Sequence, residues 1–293
     1  MFVKKILGAA AVVVIAFSSF ASQAAEITVG GKNFTEQLLL AEMTTRLLNG
    51  NGIAAEKVDG MGTSVLRKAM ENDQIQVCWE YTGTSLVTLN KVKERMGAEA
   101  TYNKVKELDG AKGIVWLNAS KANNTYALAV RKSDNQGLNT LSDLAAKYSK
   151  GEEVKLGVNA EWPKRKDGLI GLQKAYDFKV ARSNLVPMQS GLIYTALKEG
   201  DVDVGLVFAT DGRISAFGFQ ILKDDKGFFP NYALAPTIRK ETLEANPKIG
   251  ELLNALSAKL DDVIMQNLNA QVDVEKKTIE TVSEEFLKAQ GLI

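Results

Sequence analysis

Short apolar runs, polar turns and amphipathic helices follow one another along the chain. This alternation constrains the fold more than any other feature. Ile27 to Val29 reads as a strand ending in Gly30-Gly31. Asn33 or Thr35 then caps a helix, with Glu36 in the first turn, where a carboxylate favours the helix dipole. Leu39, Met43, Leu47 and Leu48 recur at helical spacing, and Asn49-Gly50-Asn51-Gly52 stops the run. The pattern predicts a helix over 63–70, a strand over 75–79, a helix over 141–148 and a strand over 154–158. A helix over 193–198 and a strand over 202–208 follow. From Pro247 to Leu287 the sequence reads as amphipathic helix throughout. Strands alternating with helices at this spacing predict an α/β fold with largely parallel sheets.

Two internal echoes refine that expectation. Ala69 to Val77 matches Ala196 to Val204 in pattern, a register that brings Tyr81 onto Phe208. Asn124 to Ala129 resembles Pro230 to Ala235, which brings Tyr126 onto Tyr232. Helix-turn-strand pieces recur by chance in any α/β chain. If the echoes are real, two similar lobes offer equivalent strand ends to a shared site.

The chemistry open to the chain is narrowed by what it lacks. It has 293 residues, room for about two domains. At 45% apolar and 24% charged residues it matches an ordinary globular protein rather than a disordered or fibrous one. With 36 basic and 35 acidic residues and no run of either sign, nucleic acid is not an expected partner. There is no histidine, which excludes Ser-His-Asp and Cys-His nucleophiles and every His-ligated metal. One cysteine, Cys78, excludes an intramolecular disulfide, and its apolar strand predicts a buried, inert thiol.

Residues 1–24 read as a secretory signal peptide: Lys4-Lys5, an apolar run from Ile6 to Phe20, then Ser22-Gln23-Ala24. The run is short for a membrane span. Cleavage is expected after Ala24, with Ala25 the alternative, and no cysteine lies near the cut to carry a lipid anchor. Loss of Lys4 and Lys5 takes the 36 basic residues to 34 against 35 acidic, a mature charge of −1. A soluble periplasmic monomer is the expectation.

No catalytic constellation and no cofactor motif emerges. Gly30-Gly31-Lys32 before a helix lacks the spacing of both phosphate-binding loops. It leaves a tight turn, usable as an anion site but equally a plain turn. Asp201-Val202-Asp203 lacks the glycine and distant Glu of a calcium loop, and Asp224-Asp225 and Asp261-Asp262 read as solvated turns or helix faces. The aromatics say more. Tyr81, Tyr126, Phe208 and Tyr232 each stand where an apolar strand meets turn residues. Any one alone would be core, but open α/β sheets bind ligands at strand ends.

Several segments together carry a family resemblance. They are Val29 to Gln37, Glu80 to Thr84, Asn123 to Leu128, Thr210 to Ile214 and Phe228 to Tyr232. They resemble the signature segments of the substrate-binding proteins of osmoprotectant (glycine betaine, choline, carnitine) ABC importers, in order along essentially the whole mature chain. The resemblance implies a two-lobe periplasmic-binding fold of the second type with two hinge crossings. Lobe one would take residues 25–124 and 231–293, and lobe two the inserted residues 125–230. It implies a box of rings around a trimethylammonium head, at Tyr81, Tyr126 and Tyr232, with Phe208 where the family usually has Tyr. It assigns Lys32, Gln37, Thr84 and Arg165 to the ligand's other end, and it implies a membrane ABC permease as partner.

The physics of the ligand agrees. A quaternary ammonium has no N–H to donate, so ring faces rather than hydrogen bonds must single it out, at about 0.5 to 2 kcal/mol each. A carboxylate tail would need cations such as Lys32 and Arg165. Rival readings are a receptor for an amino acid or polar anion, and an exported enzyme on the same scaffold. The first would need a carboxylate for the ammonium and the second a base with a nucleophile or metal. An effector domain of a transcription regulator fails on the signal peptide and the missing helix-turn-helix.

Overall fold

The computed structural model describes residues 26–293, so the signal segment lies outside the described residues. Among the described residues ten strands form two five-stranded sheets. In chain order they are β1 (Ile27–Lys32), β2 (Ala55–Met61), β3 (Val77–Tyr81), β4 (Ile114–Trp116) and β5 (Tyr126–Arg131). Then come β6 (Leu156–Val158), β7 (Leu185–Pro187), β8 (Val204–Phe208), β9 (Phe219–Ile221) and β10 (Leu234–Arg239). Sheet one runs β2-β1-β3-β10-β4 and sheet two β7-β6-β8-β5-β9. Each is mixed rather than largely parallel. Three strands are parallel in each sheet, while β10 lies antiparallel to β3 and β4, and β5 antiparallel to β8 and β9. The reason lies in the connectivity. β5 and β10 are the strands by which the chain enters one lobe from the other, so they run against the strands built by helical crossovers.

The two sheets are one plan used twice. Val29 pairs with Val77 in sheet one and Leu156 with Val204 in sheet two, and the same step along the chain carries each partner of the first pair onto the second. Packing repeats with it. A Cβ on Gly30 would meet Leu66 and Ile75, and one on Gly157 would meet Ile193 and Val202, again at that step. Gly30 therefore serves close helix-on-strand packing. Gly30-Gly31 forms no tight turn: β1 continues through both glycines to Lys32, with a register shift against β2 between Gly30 and Lys32. The second echo holds only after a correction. Tyr126 pairs with Phe208, while Leu234, not Tyr232, pairs with Tyr81, so that match is displaced by two positions. Such a displacement keeps the same strand face.

Two crossings join the lobes and touch each other. Asn123 bridges Ala233, the Leu234 amide donates to the Ala122 carbonyl at 3.0 Å, and the Tyr232 amide donates to Asn123 Oδ1 at 2.8 Å. The carboxyl end is three helices rather than one: 248–257, 262–273 and 279–289. Asp261 and Thr278 interrupt it because their side chains cap new helices, accepting from the Ile264 and Thr281 amides. The first helix, Thr35–Gly50, is preceded by Phe34 and has no side-chain cap, so neither Asn33 nor Thr35 plays the expected role. Cys78 is buried, and burial, then nearby Glu80, pushes its thiol up to about 12. Among the described residues no helix is long and apolar enough to cross a membrane.

Candidate functional site

The carboxyl ends of β1, β3 and β8 and the start of β5 converge on one cavity of about 290 Å³ between the lobes. Seven of the eight residues expected from sequence line it: Lys32, Tyr81, Thr84, Tyr126, Arg165, Phe208 and Tyr232. Gln37 does not. It is buried behind Tyr81, and its Nε2 donates to the Tyr81 hydroxyl at 3.1 Å. Gln37 thus holds a ring rather than facing the cavity.

The rings form a continuous arc. Tyr81 stacks beside Phe34 at 6.4 Å between centroids, and Phe34 on Phe208 at 5.0 Å. Phe208 meets Tyr126 at 5.5 Å, and Tyr126 meets Tyr232 edge-on at 5.4 Å. Phe34 is the ring that sequence reasoning missed. It obeys the rule that found the others, an aromatic where an apolar strand meets turn residues, here two positions past β1. Gly83 lets Tyr232 in closely, since a Cβ there would lie 2.9 Å from its ring.

Cations stand over both wings of the arc, Lys32 Nζ 5.0 Å from the centre of the Tyr81 ring and the Arg165 guanidinium 5.3 Å from that of Tyr126. Each is answered by a buried acid. Lys32 pairs with Glu80 at 2.5 Å. Arg165 grips Asp167 with two bonds, Nε at 2.8 Å and Nη2 at 2.5 Å, while Nη2 also donates to Thr84 Oγ1 at 3.3 Å. Arg165 Nη1 is engaged only loosely, 3.8 Å from Glu161. Tyr232 completes this cluster by donating its hydroxyl to Asp167 at 2.9 Å. Desolvation alone would favour a neutral Arg165, but the charge and hydrogen bonds of Asp167 oppose it and hold the guanidinium charged. Burial pushes the Tyr126 phenol up to about 12, so it stays neutral near pH 7.

Glu36, read from sequence as a helix-dipole residue, is buried instead at the base of the site. Its Oε1 accepts from the Tyr81 hydroxyl at 2.7 Å and Asn124 Nδ2 at 2.8 Å, and its Oε2 from Thr210 Oγ1 at 2.5 Å. Burial pushes its carboxyl above the ordinary 4.5, against hydrogen bonds that favour the charged form. No local pattern could have revealed this, because its partners lie 45 to 233 residues away.

Bonds across the cleft draw the lobes together. The Thr63 amide donates to Glu161 Oε1 at 2.9 Å, and Thr88 Oγ1 to Asp167 Oδ1 at 3.0 Å. Among the described residues no cluster of acids and Cys could hold a metal. What the site offers is a ring-lined chamber whose buried charges are mostly paired within the protein.

Comparison with known proteins agrees with this architecture. Residues 25–289 match the family described as the substrate binding domain of ABC-type glycine betaine transport systems. The chain is 39% identical over 285 residues to the glycine-betaine-binding protein of Pseudomonas aeruginosa, covering 94% of this chain and 92% of that one. It is 33% identical over 271 residues to the ergothioneine transport permease/ergothioneine binding protein EgtU of Helicobacter pylori, covering 91% of this chain and 48% of that longer one. Among solved structures it is similar to a glycine betaine/carnitine/choline ABC transporter protein. There the TM-score is 0.72 at 29% identity, over 91% of this chain and 99% of that one.

Proposed function

From a chain that belongs to the substrate-binding domains of ABC-type glycine betaine transport systems, we infer a receptor that closes on glycine betaine or a close quaternary ammonium relative and delivers it to a membrane permease. The observation that carries this reading is the unbroken arc of five rings around one small cavity. A trimethylammonium group is weakly hydrated and offers no hydrogen-bond donor, so several ring faces suit it better than a carboxylate would. At the upper end of the range for such contacts, about 2 kcal/mol each, four of them approach micromolar binding. The cavity lies at the small end of ligand pockets, fitting a compact solute.

In this reading Phe34, Tyr81, Tyr126, Phe208 and Tyr232 hold the cationic head. Arg165, through its loosely engaged Nη1, Lys32 and Thr84 face the carboxylate end, and Gln37 steadies Tyr81. Because Glu80 and Asp167 already neutralise the two cations, a zwitterion suits the wall better than a bare anion. The role is transport, without catalysis. Lobes of 25–124 with 231–293, and 125–230, fit the two crossings at Asn123 and Ala233. Residues 1–24, read as a signal peptide, support export to the periplasm, and a monomer is the state we expect there. The fused permease named in the Helicobacter pylori relative supports a permease partner.

A calorimetric screen of glycine betaine, choline, carnitine and proline betaine against free amino acids tests the reading. Binding of the quaternary ammonium compounds alone is expected. Tight binding of an amino acid with none of these would overturn it.

A further inference from the structure

Glu36 is a buried acid that no cation among the described residues answers. It is 2% exposed, and its hydrogen-bond donors are a phenol, a hydroxyl and two amides. The other acids of the site have cations: Glu80 has Lys32, Asp167 has Arg165, and Asp211 has Arg213. A buried carboxylate without a counter-charge costs more than a neutral side chain of the same shape, so packing alone gives no reason for one here.

Its partners come from elements that must move relative to one another. Tyr81 is a cavity ring of lobe one, and Asn124 lies in the first crossing. Thr210 follows β8 in lobe two, and Asn269 lies on helix 262–273, which packs on helix Thr35–Gly50. Thr210 is held from three sides. Its hydroxyl donates to Glu36, its amide to Asn124 Oδ1 at 3.4 Å, and its carbonyl accepts from Asn269 Nδ2 at 2.9 Å. The same lobe-two segment seats tightly on helix 262–273, for a Cβ on Gly212 would come within 2.6 Å of the Ala270 Cβ. Arg213 Nη2 reaches Asp273 at 3.1 Å.

We propose that Glu36 couples ligand contact to lobe closure, one carboxylate oxygen fixing Tyr81 against the cavity and the other holding Thr210 of lobe two. A charged acceptor suits this role because its bonds are about twice as strong as neutral ones and it accepts from several donors at once. Opening withdraws Thr210 and gives that oxygen back to water, so Glu36 favours the closed arrangement. A ligand resting on Tyr81 presses on the same group. The inference rests on the reading of this cavity as the ligand site, but the contact with lobe two is measurable without any ligand.

Spin labels at Val65→Cys and Leu192→Cys report lobe separation. Both positions are exposed, on the helices Thr63–Glu71 and Ser190–Glu199 that open beside the cavity. Glu36→Gln keeps the shape and removes the charge, while Thr210→Val removes one lobe-two donor and leaves Tyr81 and Glu36 untouched. Thr210→Val is expected to lengthen the label separation with and without glycine betaine. It should weaken glycine betaine and choline alike by about tenfold, with Glu36→Gln weaker still. Distance distributions equal to wild type overturn the proposal, even where melting temperature falls, since a purely structural residue would do just that. Should Glu36→Gln fail to fold, Thr210→Val decides. If wild type binds no quaternary ammonium compound, the reading of the cavity fails, and the ligand-free distances alone support or overturn the coupling.

Discussion

The two lobes share a scaffold and divide the chemistry unequally. Gly30, Leu66 and Ile75 of lobe one have counterparts in Gly157, Ile193 and Val202 of lobe two, all at one constant offset. At the same offset the buried ions vanish. Lys32, Arg67 and Glu80 correspond to Asn159, Tyr194 and Val207. Lobe one therefore carries the ion pairs Lys32–Glu80 and Arg67–Asp109 within its core. Lobe two supplies its pairs, Arg165–Asp167 and Arg213–Asp211, from the segments after β6 and β8. The ring positions differ likewise. Tyr81 is tied by its hydroxyl to Glu36 and Gln37, whereas Phe208, its counterpart, has only ring contacts. A repeated fold thus gives one wall fixed by hydrogen bonds and an opposing wall that packs onto it.

The largest expected break in that asymmetry is at Arg165. Arg165→Ala leaves Asp167 buried without its cation, which should cost about 3 to 5 kcal/mol of stability by thermal or urea unfolding. Asp167→Asn in the same background restores much of it, because the unpaired charge is gone. Binding separates a second role. If Nη1 holds a carboxylate, the double variant loses glycine betaine far more than choline, whereas an equal loss for both removes that role and leaves the rings standing.

Next in size is a paired test of the repeat itself. A Cβ on Gly30 would lie 2.5 Å from Leu66 Cδ1 and 2.8 Å from Ile75 Cγ2, whereas on Gly157 the nearest atoms are at 3.2 and 3.3 Å. Overpacking costs about 1 to 3 kcal/mol. Gly30→Ala should fall in that range and Gly157→Ala below it, measured by unfolding midpoints. Equal costs would mean that the two packings, though equivalent in position, relax differently from what their spacing implies.

These contrasts also explain what could be read from the sequence. Strand and helix periodicity, the helix-turn-strand echo between the lobes and the strand-end aromatics are local patterns, and they located two central strands of each sheet and four of the five rings. Mixed strand direction was not legible, because it depends on which lobe a strand enters from. Phe34 was passed over because the segment beside it was read for capping. Glu36 looked like an ordinary first-turn acid because its role exists only once Thr210 and Asn269 are brought to it. The carboxyl helices read as one because an amphipathic stripe does not show where Asp261 and Thr278 turn their side chains into caps.

A smaller effect contrasts two acids, each bonded to several groups. Asp109, against Arg67, is held below its ordinary 3.8, although burial opposes this. Glu36, without a cation, is pushed above 4.5 by burial. Asp109 therefore contributes stability above pH 3.8 that is lost as pH falls through its folded value. Glu36 has the opposite sign: the unfolded chain ionises first, so stability declines as pH rises from 4.5 through the folded value. A tenfold difference in proton affinity between the folded and unfolded chains is worth about 1.4 kcal/mol. Relative to wild type, the melting temperature of Glu36→Gln should climb as pH rises above 4.5, and that of Asp109→Asn should fall as pH rises to 3.8 and level off above it. Parallel curves for the two variants would refute the contrast.

The smallest effect expected is at the ring that lost its hydroxyl. Phe208 stacks on Phe34 at 5.0 Å and borders the cavity, so its contribution to a quaternary ammonium comes from the ring face. Phe208→Tyr keeps that face and adds one hydroxyl beside a half-buried site. Glycine betaine affinity should stay within about threefold of wild type, or about 0.6 kcal/mol. The mirror variant, Tyr81→Phe, strips a donor from Glu36 and leaves Gln37 unanswered, and should cost about 1 to 3 kcal/mol in stability or binding. The two substitutions exchange the same atom between corresponding strand ends. If both were mild, the hydroxyl bonds of Tyr81 would be incidental and the ring arc would act as a symmetric box. If Phe208→Tyr proved the more damaging, the lobe-two wall would be the one held to close tolerance, and the fixed wall would lie on the inserted lobe.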